Sequence, residues 1–133
     1  MTTVPLPAPT PDELSTPYWE ALADHRVMVQ VCPSCRRRRV PRLPSCPYCA
    51  TEGGDDVEVP GTGVVYSFVR VHRPLTPAAA DEVPYCVATV DLDGGGRLFG
   101  RVEPPESVTI GLAVQPRFVE HDTWTELRFE PRP

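Results

Sequence analysis

Two C-x-x-C steps, Cys32-Pro-Ser-Cys35 and Cys46-Pro-Tyr-Cys49, stand ten residues apart and constrain this chain more than any other feature. Each step makes a tight knuckle whose two thiolates converge on one point. Two knuckles joined by a short hairpin complete a tetrahedral site with Cys32, Cys35, Cys46 and Cys49 as ligands. A segment of about 40 residues has too little surface to build its own core, so the metal supplies the missing folding free energy. Four protein ligands leave no open coordination position, which makes the ion structural. Zinc is the expected ion, and iron in a rubredoxin-like site is the alternative. Disulfides suit an exported protein, and nothing in the Thr/Pro-rich N-terminus directs export. Cys46-Pro-Tyr-Cys49 also matches the glutaredoxin redox pair. That pair opens a helix, whereas here Ala50-Thr-Glu-Gly-Gly-Asp-Asp follows.

Eighteen prolines in 133 residues exclude a helical bundle, because proline breaks helix interiors and central strands. All thirteen basic residues are arginine. Without lysine the chain can form no Schiff base and no Walker-type phosphate site. A net charge of −5 argues against nucleic acid or an anionic membrane as partner. No apolar run approaches the roughly 18 residues that span a bilayer. A cytoplasmic protein is expected. The charge is uneven: the first fifty residues are basic on balance and the remainder strongly acidic, as expected of two modules with different neighbours.

The pattern along the chain predicts a mainly β protein. Residues 1–15 read as an extended, proline-rich arm with too little apolar surface to order itself. Residues 16–52 hold a short helix and the cysteine ribbon. Thr16-Pro17 supplies a hydroxyl cap followed by proline, and Trp19, Leu22 and Ala23 recur at helical spacing. Val27, Val29 and Val31 alternate as a strand entering the first knuckle. Thr51 to Pro60, acidic and glycine-containing, reads as a linker. Residues 61–133 read as five strands, about Gly63–His72, Tyr85–Leu92, Arg97–Val102, Leu112–Glu120 and Trp124–Phe129. Asp93-Gly-Gly-Gly96 turns the second into the third, and Pro116 marks the fourth as edge or bulged. The connection from Arg73 to Pro84 reads as too polar and proline-rich to pack. Five short strands without a long helix indicate a small closed barrel.

Several side chains are candidates for binding. Arg36 to Arg39 lie between the knuckles, with Arg42 just beyond, and guanidinium groups there can clamp phosphate or an acidic partner. Their bland alternative is a solvated hairpin tip. Arg70, His72 and Arg73 cluster at a strand end, where a loop mouth could meet a phosphate or carboxylate. Tyr18 and Trp19 serve either to pack the helix or to anchor a partner. Cys86, mid-strand, is a small core residue, and His25 and His121 sit in turns without a chemical signal.

The order of these features resembles the DUF35 family. The resemblance rests on the Tyr18-Trp19 helix, a four-cysteine ribbon containing Pro41-Arg42 and Cys46-Pro47, Gly61-x-Gly63-Val-Val-Tyr-Ser, His72-Arg-Pro74, Pro84-Tyr85 and Gly111. It implies an N-terminal rubredoxin-like zinc ribbon followed by a small five-stranded OB-fold barrel. Such proteins are accessory subunits associated with acyl-CoA. Their partners are thiolase-superfamily enzymes: acetoacetyl-CoA thiolase, lipid-transfer-protein-like aldolases of steroid side-chain degradation, and acyltransferases of polyketide-type pathways. Some pair with MaoC-type enoyl-CoA hydratases. The resemblance therefore implies a non-catalytic subunit, with Arg42, Arg70, His72 and Arg73 as a CoA-facing surface and Tyr18, Trp19 and the ribbon as docking face. Two rival readings are a nucleic-acid-binding ribbon/OB module and an autonomous CoA thioester hydrolase or hydratase using His72 or Cys86.

Overall fold

The computed structural model describes residues 5–133. The first four residues of the expected arm lie outside them. Helix α1 spans Thr16–Ala23 and begins one residue earlier than the Thr16 cap implies. Ser15 takes the cap position, and its backbone N–H donates to Asp12 Oδ1 at 2.7 Å while the Asp12 N–H donates to Ser15 Oγ at 3.1 Å. α1 buries Ala21 and Leu22, and its Trp19 meets Trp124 edge-on, ring centroids 6.0 Å apart.

The ribbon is a three-stranded antiparallel sheet of β1 (Val27–Val31), β2 (Arg38–Arg39) and β3 (Asp55–Val59), in the order β2-β1-β3. β3 corrects the linker reading of Thr51 to Pro60. Val57 and Val59 alternate with acids, so the segment pairs with β1 along its backbone, setting its valines beside Val29 and Val27 on one face and its Asp56 and Glu58 carboxylates on the other.

The remaining strands close into a barrel: β4 (Gly63–Val71), β5 (Tyr85–Leu92), β6 (Arg97–Val102), β7 (Ala113–Glu120) and β8 (Thr125–Pro131), ordered β4-β5-β6-β8-β7. Closure rests on brief contacts, Val102 with Phe129 in parallel and Gly63–Val64 with Ala113–Val114. Pro116 lies past that second contact, on the stretch of β7 that pairs only with β8, where its missing N–H costs no ladder bond. β5 shows strict alternation, with Cys86, Ala88, Val90 and Leu92 buried. In the connection before it, Pro77–Ala79 form a 3-10 turn that buries Ala78 and Ala79, contrary to the expectation of an unpacked loop. Alanine has no polar group to desolvate and no rotamer freedom to lose.

One continuous core joins the two parts. Leu22, Val27, Val29 and Val59 cluster with Val65, Val90, Val114 and Phe129 of the barrel. The joint is the β5–β6 turn, where Gly94, Gly95 and Gly96 all have φ near +90° to +100°. A Cβ on Gly95 would stand 2.9 Å from Arg38 Cβ, and one on Gly96 3.2 Å from Val40 Cγ1. Only glycine lets the turn adopt this backbone while the ribbon lies against it.

Candidate functional site

The four cysteine sulfurs lie within 4.8 Å of one another. Cys32 and Cys49 are 3.5 Å apart, and Cys35 and Cys46 3.6 Å. A tetrahedron with Zn–S bonds of about 2.3 Å has edges of about 3.8 Å, so the donor set fits a thiolate-bound metal. The knuckles repeat one another. The N–H groups of Arg36 and Ala50 donate to the carbonyls of Cys32 and Cys46 at 3.0 and 2.9 Å, and both residues have φ of 67°. Backbone N–H groups of Cys35 and Tyr48 donate to the sulfurs of Cys32 and Cys46, each at 3.4 Å. The Cys35 amide leads in drawing the Cys32 thiol down to about 6. At Cys35 the Arg37 amide favours the thiolate, but burial and the Cys46 sulfur outweigh it and lift the thiol to about 11. Four crowded sulfurs cannot all ionise without a cation among them. Cys32, Cys35, Cys46 and Cys49 therefore form a structural metal site of the zinc-ribbon kind.

Arginine pairing divides the basic residues sharply. Arg26, Arg42, Arg97, Arg101, Arg117, Arg128 and Arg132 each lie within 4.0 Å of a carboxylate. Among the described residues, Arg36, Arg37, Arg38, Arg39, Arg70 and Arg73 make no such pair. They form two groups, one on the ribbon hairpin and one at the end of β4.

Arg42 thus separates from the other residues expected to face CoA. Its Nε donates to Asp56 at 2.9 Å and its Nη1 to the Leu14 carbonyl, tying the ribbon to the segment before α1. Arg70, His72 and Arg73 are exposed at the opposite end of β4 from the ribbon, about 25 Å along the strand from Gly63. Arg70 reaches back to the Pro105 carbonyl at 3.4 Å.

Beside them opens a cavity of about 640 Å³. Arg128 donates to Glu103 and, at 2.8 Å, to Glu126; Arg117 also donates to Glu103; Arg101 donates to Glu82 and covers the Tyr85 ring at 3.9 Å. Burial opposes ionisation of Glu126, but hydrogen bonds from Arg128 and His121 outweigh it and lower its pKa. No sequence pattern announces this network, because barrel closure alone brings residues 82, 101, 103, 117, 126 and 128 together.

Tyr18 and Trp19 are half-buried. They line a groove of about 300 Å³ with Leu22, Val87, Phe99 and Trp124. Burial pushes the Tyr18 hydroxyl up to about 12. The sequence reading missed the outer face of β4–β6 alongside, where Phe99 is 74% exposed and Val69 62% exposed. The signal was present: Leu98, Gly100 and Val102 point inward, so alternation sends Phe99 out. Val69 pairs with Val87, and Phe99 lies diagonal to Val87 across β5 and β6. Cys86 is buried, its thiol donating to the Pro105 carbonyl at 3.5 Å. Among the described residues, no helix is long and apolar enough to cross a membrane.

Residues 19–53 match the family model for the ChsH2 rubredoxin-like zinc ribbon domain, and residues 56–119 that for the ChsH2 C-terminal OB-fold domain. The chain superposes on the ChsH2 (DUF35) chain of an Ltp2–ChsH2 aldolase with a TM-score of 0.81. The two are 35% identical, and the match covers 93% of this chain and 98% of that one. A probable enoyl-CoA hydratase alpha subunit of Thermomonospora curvata is 38% identical over 107 residues, covering 79% of this chain and 33% of that protein. The chain thus spans about a third of the length of that curated relative. A DUF35 domain-containing scaffold protein of Methanocaldococcus jannaschii is 27% identical over 112 residues, covering 80% of this chain and 78% of its own length.

Proposed function

Because the chain belongs to the ChsH2-type DUF35 family, we propose that it is a non-catalytic, acyl-CoA-associated subunit that docks on a thiolase-superfamily enzyme, an aldolase, thiolase or acyltransferase. The observation that carries this reading is the likeness, along nearly its full length, to the ChsH2 component of a two-part aldolase. The names of the hydratase and scaffold relatives point the same way, toward acyl-CoA substrates and toward assembly. A hydratase of the MaoC type is a second candidate partner.

Two surfaces suit the two halves of this role. The groove lined by Tyr18, Trp19 and Trp124 runs into exposed Phe99 and Val69, giving an aromatic-rich docking face. Half-buried aromatic side chains of this kind are suited to anchoring a partner. Arg70, His72 and Arg73 form the CoA-facing rim, where two unpaired guanidinium groups can meet phosphate. Arg42 serves by holding the ribbon in place. The carbon–carbon chemistry belongs to the partner's active site.

The test is acyl-CoA turnover by the purified chain alone and together with the Ltp2 component of the matched aldolase. Turnover confined to the mixture supports the subunit reading. Turnover by the chain alone would revive the hydrolase or hydratase reading through His72 or Cys86. Retained nucleic acid with a steep salt dependence would favour the nucleic-acid module instead.

A further inference from the structure

We infer that the second half of β4 accepts an extended segment of a partner protein, apolar and acidic by turns, as an added strand. The barrel is closed on that side only where β4 begins. Gly63 and Val64 pair with Val114 and Ala113. The Val65 N–H donates to the Leu112 carbonyl and the Val65 carbonyl accepts from the Gly111 N–H, both at 2.9 Å. Past the bulge at Tyr66, Ser67 to Val71 pair with β5 alone. A strand turns successive N–H and C=O groups to opposite edges. This stretch, about 17 Å long, therefore presents donors and acceptors on the side away from β5. Among the described residues, no other backbone or side-chain group bonds them there.

Folded proteins blunt their strand edges with charge, proline or a covering element, because a bare edge is a template for another chain. Elsewhere in this molecule those devices are present. β3, an edge strand of the ribbon, carries Asp55, Asp56 and Glu58. β7 carries Pro116, against which Gly61 lies so close that an added Cβ would stand 3.0 Å from the ring. Ser67 to Val71 contain no proline and no carboxylate. Nor are they covered, since Val69 and Arg70 are exposed. The loop that follows β4 leans to the opposite side, where its Glu82 pairs with Arg101 of β6.

Charge selects the occupant. From Tyr66 to Arg73 the chain has two arginines and no acid. The contact Arg70 makes is a 3.4 Å reach to the neutral Pro105 carbonyl, which leaves its charge uncompensated. A second copy pairing antiparallel about Val69 would set the two Arg70 side chains diagonally across the seam, like charges about 7–8 Å apart. A partner strand with Asp or Glu opposite Arg70 meets an opposite charge instead. The positions on either side of that acid fall opposite Val69 and Val71 on the other face, where apolar side chains would continue the surface of Phe99 and Val69. The matching segment is thus apolar, acidic, apolar, held by backbone bonds with side chains setting the choice. His72 and Arg73 lie past the paired stretch and stay free. This contact is separate from the aromatic groove and does not depend on which enzyme docks there.

The test titrates the metal-loaded full chain with three peptides, reading backbone amide signals by NMR. They are acetyl-Thr-Val-Glu-Val-Thr-amide, its lysine-for-glutamate analogue, and the glutamate peptide N-methylated at every residue. Saturable shifts at Ser67 to Val71 are expected with the glutamate peptide, and affinity about 3-fold or more weaker with the lysine analogue. The methylated peptide keeps its side chains but loses its backbone donors, and should not bind. Arg70→Glu should invert the preference between the first two peptides, and Tyr48→Ser, on the ribbon, should leave it unchanged. No saturable shift at Ser67 to Val71 would overturn the inference, as would equal binding of the methylated peptide or a preference that Arg70→Glu does not invert. So would a dimer of the chain alone in sedimentation velocity with the Ser67 to Val71 amides protected from exchange, because a second copy would then hold the edge.

Discussion

Glu126 shows how a single half-buried side chain sets the acid limit of the barrel. Its folded pKa lies below the ordinary value of 4.5, since Arg128 and His121 hold its ionised form against the cost of burial. A lowered folded pKa contributes stability that is complete above the unfolded value and is lost as pH falls through the folded one. Glu126→Gln should therefore cost about 1 kcal/mol near pH 7, a modest figure because solvent reaches the pair. The penalty should begin to shrink as pH falls past the unfolded value of about 4.3 and vanish below the lower, folded one. Urea unfolding of both proteins across that range checks this, and a penalty that persists in acid would show that packing, not charge, is at work. At Ala50 the backbone holds φ of 67° without glycine. Ala50→Gly should raise stability by about 0.5–1 kcal/mol, read as a higher urea midpoint, because it relieves strain in the knuckle.

At the scale of elements, the β5–β6 turn is the seam on which the ribbon rests. Gly95→Ala combines an unfavourable φ of +103° with a 2.9 Å approach to Arg38 Cβ, and should cost about 2–3 kcal/mol. Gly53→Ala is the control, because φ is +77° there but nothing lies within 4 Å, so backbone strain of about 1 kcal/mol acts alone. Equal penalties by urea unfolding would mean that the contact with the ribbon is energetically idle. Much of this level was legible beforehand. The bounds of β1, β5 and β6 follow from valine alternation and from the Gly94–Gly96 turn, and the metal site follows from cysteine spacing. β3 was hidden because its acids read as linker, although Val57 and Val59 already alternate. The fate of Arg42 and the Glu103–Arg128 network could not be read, since Asp56, Leu14 and Glu103 become neighbours only once the ribbon folds and the barrel closes.

The whole molecule is a metal-held ribbon and a closed barrel sharing one core, so loss of the metal should be felt beyond the ribbon. Chelation, or Cys49→Ser, removes a cross-link worth about 10 kcal/mol or more in isolated zinc fingers. A fall in Tm of more than about 10 °C is expected, with hydrogen-exchange protection lost at Val29 and also at Val90 in the barrel. Loss confined to the ribbon would argue for independent modules. The same single body presents an aromatic face on one side and an unpaired arginine rim at the end of β4, the two surfaces that the proposed subunit role uses.

Docking itself is the most direct point of test. Sedimentation velocity of the chain mixed with Ltp2 should show one complex, and Phe99→Asp should disperse it while leaving the chain folded. Separate species in the mixture of unaltered proteins would contradict the account.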